Sequence, residues 1–160
     1  MSESLAPPPV LHSARVISYA IIPDSVDFMA RGALLVDGVS VGRVPRLAIA
    51  ENLGEDIGPL LLHCDAHWAV LGVSGAATVD ATKRLAERNY PGIGAHWVDL
   101  NISPQDALAY YDAETDGLKC SFCDKRPFEI QGGWVSGNHA AICRECVDRY
   151  HAAFQESTLG

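Results

Sequence analysis

Positive charge is scarce in this chain: twelve lysines and arginines face twenty acidic residues over 160 positions, a formal net charge of -8. A protein built to hold a phosphate backbone clusters Lys and Arg, so nucleic acid is disfavoured as its main partner. No apolar run approaches the roughly 18 residues that a membrane-spanning helix needs. The opening MSESLAPPPVLHSAR has neither the basic head nor the apolar centre of a secretory leader. No G-x-x-x-x-G-K-[ST] phosphate loop occurs. These absences lead to the expectation of a cytoplasmic protein without membrane contact. Cysteine is sparse too, with five residues, yet four of them fall in one stretch, CSFCDKRPFEIQGGWVSGNHAAICREC, from Cys120 to Cys146.

What is present divides unevenly. Nearly half of the residues are apolar, enough to build a core. Through Asp116 seven basic residues face fifteen acids, and from Gly117 onward five face five. The excess charge therefore lies wholly before the cysteine-rich part. The expected organisation is a mobile tail over 1–14, an α+β domain over 15–112, an acidic linker over 113–118 and a metal-binding finger over 119–156.

Within the first domain, Arg15 to Ile22 (RVISYAII) reads as a strand. Short β-branched runs at Ala33 to Val36 and Val39 to Val41 flank Asp37-Gly38, a tight hairpin turn. Leu47 to Leu53 reads as another strand. In Leu60 to Val73 two apolar runs meet at Asp65-Ala66, and a hairpin is expected there because Asp initiates turns through its own side chain. Thr78 to Tyr90 predicts a helix, with Thr78 as cap, Asp80 at its positive end and Pro91-Gly92 as stop. Its buried stripe is expected at Ala81, Leu85, Ala86 and Tyr90. Ala95 to Leu100 predicts a strand. A second helix starts at Ser103, Pro104 and Asp106, a capping box with proline at the first position. The three prolines Pro7, Pro8 and Pro9 argue against a regular element in the tail.

Each C-x-x-C places two sulfurs on one tight turn, and four thiolates suit the tetrahedral preference of zinc. The nineteen residues between the pairs allow a hairpin that returns the chain to the metal, reversing at Gly132-Gly133 or Gly137-Asn138. Val147, Tyr150 and Phe154 then fall on one face of a helix beginning at the second pair. Knuckle, hairpin and helix make a small treble-clef-like zinc finger with one structural Zn2+ held by Cys120, Cys123, Cys143 and Cys146. Disulfides are disfavoured in a chain without an export signal, and four thiolates leave no open position for a catalytic water.

The runs KCSFC, from Lys119 to Cys123, and AICRECVD, from Ala141 to Asp148, resemble the C4-type zinc finger of the ClpX unfoldase. The resemblance spans about 118–154 and includes Phe122, Ile142, Glu145 and Val147 as well as the four cysteines. In that family the cysteines bind zinc, and the domain dimerises and receives adaptors and substrates through apolar surface. The resemblance implies the same metal role for Cys120, Cys123, Cys143 and Cys146, and an interaction role for the finger. The ClpX finger precedes an ATPase; here it follows an acidic domain that resembles no family recognised from its sequence.

Other residues invite function less strongly. His63, Cys64, Asp65 and His67 have the composition of a nucleophile or a second metal site. On a strand, however, Cys64 points away from His63 and Asp65, and packing and turn roles account for all of them. His139 and His151 lie near the ligands and could replace a cysteine, but with four cysteines already spaced correctly they are expected at the surface or supporting the ligands from behind. Trp68 and Trp97 are expected in the core, with Trp134 exposed. The overall expectation is a non-catalytic, adaptor-like protein whose finger contacts a protein partner or self-associates. A nucleic-acid-binding regulator is the alternative, and an enzyme around His63 to His67 the third reading.

Overall fold

Leu47-Ala-Ile-Ala alternates large and small apolar residues, and this part of the strand is buried on both faces. Leu47 and Ile49 join one cluster with Ala20, Leu61, Ala86, Tyr90 and Ile93. Ala48 and Ala50 join another with Leu11, Val16, Leu62 and Trp68. A computed structural model, which describes residues 5–32 and 34–157, divides the chain into two units, Met1–Tyr110 and Tyr111–Gly160. The protein is α+β: an antiparallel sheet with helices, followed by a cysteine-rich unit. No helix among the described residues is long and apolar enough to cross a membrane.

The first unit runs β1 (Val10–Leu11), β2 (Ala14–Ile21), β3 (Leu35–Val36), β4 (Val39–Ser40), β5 (Arg46–Asn52), β6 (Pro59–Cys64), β7 (Val70–Gly75), α1 (Val79–Asn89) and β8 (Val98–Asp99). The sheet order is β1-β2-β5-β6-β7, with β8 also paired to β2. A bulge between Val16 and Ser18 of β2 shifts the register against β5. Since successive side chains alternate faces, the extra residue reverses the parity. Ala14 and Val16 therefore pack with the Trp68 cluster, whereas Ala20 packs with the α1 cluster.

Local chemistry decides several turns. Asp37 and Gly38 connect β3 to β4 with φ of 51° and 78°, the left-handed pair that a two-residue hairpin needs. Ala33, expected at the start of that strand, lies outside the described residues. The Asp65 carboxylate accepts from the backbone N–H of His67 at 2.7 Å and Ala69 at 2.9 Å, folding β6 onto β7. Thr78 Oγ1 accepts from Ala81 N at 3.1 Å and caps α1.

Three expectations are corrected. The segment 1–14 is not wholly a tail, because Val10 and Leu11 are buried and paired with β2. Proline removes a donor but keeps its carbonyl, and Pro9 O accepts from Val16 N at 3.0 Å. The strand expected at Ala95 to Leu100 shrinks to Val98–Asp99, preceded by a 3-10 turn at Ile93–His96. The Glu87 carboxylate causes this by accepting from Gly92 N at 2.6 Å and Gly94 N at 2.9 Å, which curls the chain. Finally, α2 (Pro104–Glu114) carries the helix into the stretch expected as linker and ends on Asp116 and Gly117, both left-handed at φ of 51° and 66°.

Of the stripe foreseen on α1, Ala86 and Tyr90 are buried, and Thr82 joins them by donating its hydroxyl to Thr78 O at 2.9 Å. Tyr90 does more than fill space, since its hydroxyl oxygen accepts from the buried Val44 N–H at 3.0 Å. Tyr90→Phe leaves that amide without a partner and is expected to cost about 1–3 kcal/mol. Urea unfolding of the two chains should show a lower midpoint with an unchanged slope. An equal midpoint would show that the hydrogen bond contributes nothing.

Candidate metal centre

The second unit is built around its sulfurs. Cys120 and Cys123 sit on a turn closed by Cys120 N–H donating to Lys125 O at 2.9 Å and Asp124 N–H donating to Cys120 O at 2.9 Å. Asp124 takes a left-handed φ of 59°, a conformation that short polar side chains tolerate. The chain then passes a 3-10 turn at Pro127–Glu129 and forms the hairpin β9 (Trp134–Ser136) and β10 (Ala141–Cys143). The reversal falls at Gly137 to Ala140, with Gly137 N–H donating to Ala140 O at 2.7 Å. Gly132 and Gly133, at φ of 80° and 83°, instead shape the approach to β9. Cys143 ends β10, and Cys146 lies in the first turn of α3 (Arg144–Ser157).

The hairpin is fastened to the knuckle by three hydrogen bonds, one of them from Cys143 N–H to Cys120 Sγ at 3.4 Å. Ser121 N–H donates to Ala141 O at 2.8 Å, and Ala141 N–H donates to Ser121 Oγ at 3.1 Å. As a result the Sγ atoms of Cys120, Cys123, Cys143 and Cys146 all lie within 4.8 Å of one another. Cys120, Cys143 and Cys146 are buried and Cys123 is half-buried.

Two distances test the donor set. Cys123 Sγ and Cys143 Sγ are 3.8 Å apart. Sulfurs placed tetrahedrally at about 2.3 Å from a zinc ion stand about 3.8 Å from one another. A disulfide requires about 2.05 Å, and all five cysteines are free. The four sulfurs can hold a metal ion.

The electrostatics favour a cation there. Burial would raise the Cys120 thiol, but the backbone amides of Cys143, Phe122 and Cys123 outweigh it and bring it down to about 6. Burial pushes Cys146 up to about 12, and the neighbouring cysteine sulfurs add to the rise. A bound cation supplies the positive charge that ionises such a thiol. Arg149 helps from outside, its guanidinium donating to Cys146 Sγ at 3.1 Å. Lys125 pairs with Glu145 beside the same sulfurs. Arg149 carried no signal in the sequence, because its partnership arises from α3 passing the cluster.

Other expected residues stand as follows. Trp134, expected exposed, is half-buried and packs with Ile130 and Ile142 against the cysteines. His139 and His151 are exposed and lie outside the ligand set. Asp112, assigned by composition to the end of the first domain, receives two hydrogen bonds from Arg126 at 2.7 and 2.8 Å. That bidentate pair holds the Asp112 carboxyl below its usual range, and beside it Tyr111 meets Phe128 edge-on at 4.9 Å.

The His63 to His67 group does not assemble a centre. His63 Nε2 is 3.2 Å from Ser74 Oγ, while Cys64 packs into the Trp68 cluster. Burial, then the Asp65 charge, pushes the Cys64 thiol up to about 12, which keeps it protonated at neutral pH. Asp65 is committed to its turn. Trp68 is buried, as expected, and Trp97 is half-buried against the α1 cluster.

Compared with known proteins, the chain matches no family model, no curated protein and no solved structure.

Proposed function

We propose that the protein is a zinc-stabilised, non-catalytic interaction protein whose finger docks on another protein chain or a second copy of itself. Four sulfurs within 4.8 Å of one another favour zinc, a soft-tolerant ion without redox chemistry, and leave it no position for a reacting water. The resemblance of KCSFC and AICRECVD to the ClpX finger supports the same assignment.

The observation that carries the interaction role is the outer face of α3. Val147, Tyr150 and Phe154 recur at helical spacing and are all exposed, Phe154 at 74%. Phe122 meets Tyr150 in a tilted ring contact at 5.2 Å and extends the patch to the knuckle. A shallow groove of about 450 Å³ adjoins it, lined by Trp134, Val135, Ile142 and Val147. Scattered apolar residues are ordinary at a surface, but a contiguous aromatic patch marks a contact site. The charge of this unit argues against nucleic acid, because Lys125, Arg126 and Arg144 are paired with Glu145, Asp112 and Asp148.

Sedimentation of the metal-loaded chain is the first test. Self-association that rises with concentration is expected, and Val147→Asp with Phe154→Asp should abolish it while metal content stays constant. A monomer throughout removes self-association. Pull-downs from native extract then decide the remainder: a wild-type bait and the double variant that captured identical proteins would overturn the interaction role.

A further inference from the structure

The first unit has seven basic residues against twelve acidic ones. Four of the seven are occupied within the fold. Arg15 pairs with Glu51 and donates to Ile102 O. Arg43 donates to Pro23 O at 3.0 Å, Arg46 lies 5.0 Å over the Trp68 ring, and Lys83 pairs with Asp99 at 3.3 Å. The remaining three, Arg31, Arg84 and Arg88, make no ion pair among the described residues, and all three line one cleft of about 750 Å³.

This convergence runs against the local energetics. Arg84 and Arg88 stand one turn apart on α1, where like charges are mildly destabilising. Arg31 is brought to the same place by the loop after β2, anchored by Met29 N–H donating to Asn89 O at 2.9 Å and by Phe28 packing on Tyr90 at 5.1 Å. The cleft contains one carboxylate, Glu87, whose two oxygens are spent on Gly92 N and Gly94 N. Its walls are otherwise apolar or backbone, including Ala76, Ala81, Leu85 and Pro91. In an acidic unit, the positive charge left without a partner is thus gathered around an apolar floor, at a volume typical of small-molecule sites.

We propose that this cleft binds a small oxyanionic ligand, one that presents phosphate or carboxylate to Arg31, Arg84 and Arg88 and lays an apolar portion on Ala81, Leu85 and Pro91. Guanidinium groups suit this task because their planar forks match both oxyanions in pairs of charge-assisted hydrogen bonds. The site is separate from the cysteine cluster and does not depend on the role assigned to the finger.

The test titrates the full, metal-loaded chain at constant ionic strength with phenyl phosphate, benzoate, inorganic phosphate and an acidic peptide, following backbone amide and arginine side-chain resonances. Saturable shifts confined to the Arg31 loop and α1 are expected with phenyl phosphate or benzoate, and whichever binds tighter identifies the oxyanion. Inorganic phosphate should bind more weakly, because it leaves the apolar floor uncovered. Arg84→Gln with Arg88→Gln should weaken binding about tenfold or more. Both positions are exposed, so an unchanged amide spectrum elsewhere verifies folding; Arg84→Lys with Arg88→Lys should retain part of the affinity. No saturable shift with any probe, or equal shifts in wild type and the Gln variant, would overturn the proposal. Tighter binding of the acidic peptide than of either aromatic probe would overturn it too, by making the cleft a protein-docking site.

Discussion

Chelating the metal from the intact chain under reducing conditions is expected to unfold the second unit while the sheet of the first stays folded. The reason lies in what the second unit has for a core. Its buried cluster consists of Cys120, Cys143 and Cys146, with only Cys123, Ile130, Trp134 and Ile142 packed against them. Beyond it, Tyr111 and Phe128 pack on each other, whereas Leu118, Phe122, Val135, Val147, Tyr150 and Phe154 are exposed. A unit of this size cannot offset its ordering entropy from so little buried apolar surface. Metal binding to sites of this kind contributes on the order of 10 kcal/mol, which makes it the dominant favourable term.

The measurement is the amide spectrum before and after chelation, with Trp134 fluorescence as a local report. Resonances from 119–156 should collapse to unfolded positions, and those of β5 and β6 should persist. Cys143→Ser should produce the same pattern without chelator, with metal content falling well below one equivalent. Reducing conditions matter because Cys123 and Cys143 sulfurs only 3.8 Å apart can close into a disulfide once the metal leaves. A metal-free finger with native dispersion would show that packing suffices, and the structural role of the metal would be lost.

Acidification should weaken the first unit through His63. This imidazole lies in β6 beside the Ser74 hydroxyl, 6% exposed, and burial brings it from 6.5 down to about 4. Between those values the unfolded chain binds the proton and the folded chain does not. Stability from this residue is therefore fully present above 6.5 and is lost as pH falls toward 4. The linkage amounts to about 2 kcal/mol between pH 7 and 5 and about 3 kcal/mol by pH 4.

Amide exchange of β5 and β6 across that range isolates the effect. His63→Gln shifts the absolute stability but cannot titrate, so the pH dependence between 7 and 5 should flatten. The Asp65 carboxyl is held low by its turn amides and contributes its own loss only in more acidic solution. Equal slopes in wild type and variant would show that another group governs the acid response.

Much of the architecture was legible because it rests on neighbours in sequence. Thr78 caps α1, Ser103 accepts from Asp106 N at 3.0 Å, Asp37-Gly38 turns a hairpin, and Asp65 folds β6 onto β7. Each is settled within a few residues, by a side chain acting on nearby backbone or, at Asp37-Gly38, by backbone conformation. The strand at Ala95 to Leu100 was misread because its fate depends on Glu87 reaching forward to Gly92 and Gly94 from a helix. The tail was misread because proline is informative about lost donors and silent about Pro9 O finding Val16. Composition placed Asp112 at the end of the first domain, when its partner Arg126 comes fourteen residues later in the second unit.

By itself the sequence determined the four candidate metal ligands, since two C-x-x-C knuckles carry their chemistry in spacing and in the affinity of thiolate for a soft ion. It also determined the order of the main strands and helices, through periodicity and capping. Only the tertiary structure decided that Arg149 would face a cysteine sulfur, that Trp134 would cover the cluster, and that Arg31 would join Arg84 and Arg88 at one cleft. The physical reason is range: spacing and capping act within a few residues, whereas charge and packing depend on distances that the chain acquires only by folding.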